Sequence, residues 1–86
     1  MMITRHSSPA EIDAYYEAKV AEFMALVDEL ERLKGRSQDA GRRNFLDTWK
    51  LYDSRANRMV VVDQSVKWLD GEIAQMTRLV EARRSR

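Results

Sequence analysis

His6 is the only imidazole in the chain, and the chemistry it can support is narrow. A zinc site draws three or four ligands from histidine, cysteine and carboxylate, and this chain offers one histidine, no cysteine and scattered acids. No helical stretch carries a Glu-x-x-His pair, so the carboxylate metal site of ferritin-like bundles has no basis. A serine nucleophile needs a base within reach; none of the six serines has one, because His6 precedes the first helical segment. Three isolated glycines build no phosphate-cradling loop, and without cysteine there is no thiolate or disulfide. No metal and no cofactor are therefore expected, and the residues read as those of a non-enzyme.

The side chains that remain able to do something are cationic and aromatic. Arg78, Arg83, Arg84 and Arg86 make the C-terminal stretch basic, and Arg42 and Arg43 form a second basic pair. These support association with nucleic acid as an alternative reading. Against it, 15 Lys+Arg are balanced by 14 Asp+Glu, a net charge of +1, whereas a protein held to DNA by charge is usually strongly basic. The same balance excludes an acidic mimic of DNA.

The elements that must carry these side chains are helices. Ser8, Pro9 and Glu11 form a capping-box signature, with proline at the first helical position. Ile12, Tyr16, Val20, Phe23, Val27 and Leu30 then recur at steps of four and three, widened by Leu26 and Leu33. Gly35, preceded by Arg32 and Lys34, is a stop signal. The spacing predicts a helix over 9–34, after an arm at 1–8 expected to be flexible. Residues 35–41, with two glycines, Ser37 and Asp39, read as a loop. From Phe45 the series Trp49, Tyr52, Ala56, Met59, Val62, Val66, Leu69, Ile73, Met76 and Val80 steps by three or four without losing phase. That predicts one long second helix over 42–84, with a weak point, kink or break at Asp70-Gly71.

Helices of such unequal length, roughly 39 and 65 Å at about 1.5 Å per residue, leave apolar surface uncovered. The expected fold is all-α: a helical hairpin of one domain, dimerising into an antiparallel four-helix bundle. Leu69, Ile73, Met76 and Val80 are the expected dimer seam. Two further faces stand out. Ala14, Ala18, Ala21 and Ala25 make a row of small residues on the first helix, flanked by Glu17, Glu22 and Asp28. On the second helix Val61 and Trp68 lie one heptad apart and off the main stripe, with Arg55 and Arg58 beside them and Leu79 further along. Tryptophan is enriched at binding hot spots, so Trp68, Val61, Arg55 and Arg58 are the expected protein-binding face. Packing of Trp68 as ordinary core is the competing reading. The first helix is net −4 over 11–34, from seven acids and three bases, and residues 42–86 are net +4. A partner would meet two faces of different sign.

Two family resemblances touch parts of this pattern. Residues 11–30 resemble the first helix of small helical chorismate mutases, which implies electrostatic catalysis by arginines and lysines lining a bundle pocket. That family places an arginine in the first turns of the helix, where this chain has Tyr15, Tyr16 and Glu17, and no arginine inside the helix precedes Arg32. Lys50, Arg55 and Arg58 are the basic residues left to that reading, which stands as a remote alternative. The arrangement Leu33-Lys34-Gly35 before an aromatic-rich helix is similar to the small secreted hairpins named for a Trp-x-Gly turn, but the tryptophan is absent.

No apolar run reaches the roughly 18–20 residues of a membrane span, and residues 1–10 lack the apolar stretch of a signal peptide. A cytoplasmic adaptor, assembly subunit or small inhibitor that acts sterically on another protein, such as phages and mobile elements encode, is the function expected.

Overall fold

Ser8 begins the fold in the manner its sequence dictates. Its hydroxyl accepts from the Glu11 N–H at 3.2 Å, and the Glu11 carboxylate accepts from the Ser8 N–H at 3.3 Å. From this capping box α1 (Pro9–Lys34) runs to Gly35, whose φ of 70° places it in the left-handed region while its N–H donates to the Glu31 carbonyl. The structure, a computed structural model, describes residues 3, 4, 6–52 and 58–85, with residues 58–61 described by their backbone only.

The stretch predicted as one helix over 42–84 is two, α2 (Asp39–Tyr52) and α3 (Arg58–Arg84). In a single straight helix Phe45 and Trp68 would stand about 35 Å apart. Their ring centroids are 5.0 Å apart, so the chain reverses between them. Asp70-Gly71, the predicted weak point, lies inside α3, which continues through it. An unbroken apolar phase reports which face of a helix is buried; two helices in succession that both face one core produce it as well as one long helix does.

The pairings set the directions. Arg42 meets Glu31, Phe45 stacks on Phe23, and Trp49 meets Tyr16 edge-on, so α2 runs antiparallel to α1 as the second arm of a helical hairpin. Against α3 the order is the reverse: Tyr16 bonds Ser65, Lys19 pairs with Asp70, and Glu29 pairs with Arg84. Numbers rise together, so α1 and α3 are parallel. They define the long axis of a body 44 × 24 × 17 Å, and α2 is about half their length.

The core between them collects Ile12, Tyr16, Phe23 and Val27 from α1, Phe45 and Trp49 from α2, and Val62, Leu69 and Ile73 from α3. Val80 is buried as well, and Met76 is half-buried against the core. Of the four residues expected to form a dimer seam, Leu69, Ile73 and Val80 are thus buried within the single chain and Met76 is half-buried. Each large apolar side chain so buried contributes about 1.5–3 kcal/mol. Ile3 joins the same core, so this part of the expected arm is docked: a turn in which the Ser7 N–H donates to the Thr4 carbonyl folds the segment back. Among the described residues no strand occurs, and no helix is long and apolar enough to cross a membrane.

Candidate docking groove

α2 presents aromatic residues at steps of four and three, and these decide how α3 lies. Phe45, Trp49 and Tyr52 all stack on Trp68, with centroids at 5.0, 6.2 and 5.3 Å and planes within 24° of parallel. Phe45 in turn stacks on Phe23 at 3.8 Å. Offset stacks of this kind add about 0.5–1.5 kcal/mol each beyond the area they bury. Trp68, expected on a free partner face, is thus half-buried and belongs to the joint between α2 and α3. Of its expected companions, Val61 and Arg58 sit in the first turns of α3, where side chains lie outside the described residues, as does the whole of Arg55. The structure brings none of these together with Trp68 at a described contact.

Toward the other end of α2 the joint opens. Gly41, Asn44 and Thr48 are the α2 residues on this side, at steps of three and four, and they are too short to fill the space before Glu72, Gln75 and Leu79 of α3. The result is a groove of about 240 Å³, floored by Phe23, Phe45 and Met76 and walled at one end by Trp68. Leu79 is 45% exposed at the opposite end. It also lines a second notch of about 160 Å³ with Leu30, Ala82, Lys34 and Arg83. The two depressions share Leu79.

Arg42 fastens the N-terminus of α2 to the end of α1. Its guanidinium donates to Glu31 at 2.9 and 3.2 Å, to Asp39 at 2.9 Å and to Asp28. Those bonds from Arg42, with a 2.8 Å bond from the Gln38 N–H, hold the Glu31 carboxyl down at about 2. The Arg42 guanidinium is held above its usual range by the same acids, Glu31 first. At the end of α3 Glu29 takes both Arg32 and Arg84, and the hydrogen bond from Arg32 is the main reason its carboxyl is lowered.

No protein family, curated protein or solved structure matches this chain.

The geometry alone then ranks the remaining sites. Among the described residues no group of three or more His, Cys, Asp and Glu could hold a metal ion. Lys50, one of the basic residues of the mutase-like reading, is exposed on α2 beside Asp47 at 3.9 Å. The alanine row is exposed along α1. Leu46 and Leu51 are exposed on α2, at 41% and 76%. Leu46 lines a depression formed by residues of α2 alone. The groove is not visible in periodicity, because it arises from short side chains on one helix facing long ones on another. The signal that bears on it is the run Gly41, Asn44 and Thr48, three small residues on one face of an otherwise large-residue helix.

Proposed function

We propose that this chain is a non-enzymatic protein-binding module that acts sterically, by taking a helix of another protein into the groove between α2 and α3. The observation that carries the reading is Leu79, a large apolar side chain 45% exposed at the mouth of a groove floored by Phe23, Phe45 and Met76. Two helical rims over an apolar floor suit an amphipathic helix, whose anchors at i, i+3 or i+4, and i+7 enter the floor. A fourth helix there would complete a four-helix bundle supplied in part by the partner. It would also explain why α2 carries small residues on the one face that would otherwise close against α3.

The test is site-specific photo-cross-linking in cells that express the chain. A cross-linker at Gln75 on the groove rim is expected to capture a partner, and one at Ala21 on the opposite face of α1 is not. Leu79→Asp should abolish the Gln75 adduct while helicity stays unchanged, since Leu79 is partly in solvent. Equal capture from both positions, or an adduct indifferent to Leu79→Asp, would overturn the groove as the binding face.

A further inference from the structure

The parallel course of α1 and α3 has an electrostatic result that an extended hairpin would not produce. Their C-terminal turns end side by side, and both are basic: Arg32 and Lys34 on α1, Arg83 and Arg84 on α3. α2 begins at the same end with Arg42 and Arg43. Of these cations, Arg42 is taken by Asp28, Glu31 and Asp39, and Arg32 and Arg84 by Glu29. Lys34, Arg36, Arg43, Arg78 and Arg83 make no ion pair among the described residues.

Helix dipoles account for part of this set only. Lys34 and Arg83 sit in last turns, where a cation is favoured. Arg36 lies beyond the cap of α1, Arg78 lies more than a turn before the end of α3, and Arg43 is near the start of α2, where the dipole disfavours positive charge. Two of these cations, Lys34 and Arg83, line the notch of Leu30, Leu79 and Ala82, which shares Leu79 with the groove.

We propose that the helix received by the groove is acidic in its first turns and lies with that N-terminal end over Lys34 and Arg83, antiparallel to α3. The proposal rests on the groove reading above and adds the partner's chemistry and direction. From Trp68 to Leu79 is about 16 Å along α3, so a helix seated across the groove reaches the notch. Acidic residues at its N-terminus satisfy that helix's own dipole and meet the unpaired cations in one arrangement. Its positive end also faces the carbonyl ends of α1 and α3. A phosphate backbone gains neither from those carbonyls nor from an apolar floor, so the occupant is a protein segment and not nucleic acid.

Two fluorescein-labelled helical peptides of identical composition test this. Both carry leucines at i, i+4 and i+7; one has its glutamates in the N-terminal turns and the other has them at the C-terminal end. Anisotropy titration with the full chain should show the first binding about tenfold more tightly at low salt, with the preference shrinking as salt rises. The preference should vanish in the double variant Lys34→Gln/Arg83→Gln, whose circular dichroism should match the parent because neither side chain is paired and neutralisation places no acid at either helix end. Equal affinities for the two peptides would overturn the acidic-end proposal and leave the groove reading standing. Failure of both peptides to bind would overturn both. Displacement of the bound peptide by duplex DNA, with a steep salt dependence, would overturn the assignment to a protein segment.

Discussion

The phenol of Tyr16 lies 2.7 Å from the hydroxyl of Ser65, across the α1–α3 interface and 49 residues away in the chain. Ser65 is fully buried and donates to the Val62 carbonyl at 2.9 Å, so the Tyr16 O–H is the donor and the Ser65 oxygen the acceptor. Two polar groups thus satisfy each other inside an apolar seam, and the pairing fixes the register of the two parallel helices.

Removing either partner should have unequal effects. In Tyr16→Phe the serine keeps its bond to Val62, and the loss is that of one hydrogen bond, about 0.5–1.5 kcal/mol. In Ser65→Ala the buried phenol is left without its acceptor, at a cost of about 1–3 kcal/mol. Urea denaturation is expected to rank Ser65→Ala as the more destabilised. The double variant should be less destabilised than the sum of the singles, as coupled neighbours are.

Acid should loosen the clamp at Arg42. Glu31 has its folded-state carboxyl at about 2, against an ordinary 4.5. A lowered value means that the stabilisation is fully present above about 4.5 and is lost as pH falls through 2. Thermal melts from neutral pH downward should therefore show a falling Tm across that window. In Glu31→Gln the Tm should be lower at neutral pH, and the two curves should converge toward pH 2. Parallel curves would mean that the Glu31–Arg42 pair contributes nothing to the acid limb.

Gly71 should be replaceable with profit. It is exposed within α3, and an added Cβ would meet nothing within 4 Å. Gly71→Ala is expected to stabilise the chain by about 0.5–1 kcal/mol, read as a higher denaturation midpoint at unchanged slope. The same change at Gly35, whose φ is 70°, should destabilise.

Trp68 should behave as the joint between α2 and α3. Trp68→Ala removes the surface on which Phe45, Trp49 and Tyr52 stack and should cost about 3 kcal/mol, with loss of near-ultraviolet dichroism. Trp68→Phe should retain most of the fold. A Trp68→Ala variant of parental stability would show that the stack contributes little to holding α2 in place.

What could be read from the residues alone follows the range of the forces involved. The capping box at Ser8 and the stop at Gly35 act within a turn, so the ends of α1 were legible. The apolar spacing named the core positions from Ile12 to Val80, because burial leaves a periodic trace whatever the neighbour is. It did not show which neighbour. α3 faces both other helices, so it needs two apolar lines: Leu69 is buried between the long helices, and Trp68, next to it, turns toward α2. Read as one stripe with an outlier, that pattern made Trp68 seem a free surface residue. The fold-back left no local mark that outweighed the glycine at 71. A helical glycine costs only about 1 kcal/mol, less than the burial of Leu69 and Ile73 on either side of it returns. The groove depends on lengths of side chains that meet only in three dimensions, and Leu79 stood out in the sequence merely as one more apolar residue.

The parallel alignment of α1 and α3 also determines when the molecule can fold during synthesis. An antiparallel neighbour arrives as soon as a short turn has been made, but a parallel one must wait for a crossover, here supplied by α2. The last residue of the Tyr16–Ser65 bond is made 49 residues after the first. At roughly 5–20 residues per second, the apolar stripe of α1 waits about 2–10 s on a translating ribosome before its main partner exists. Within that interval α2 emerges first, and its native contacts with α1 are those of Trp49 on Tyr16 and Phe45 on Phe23.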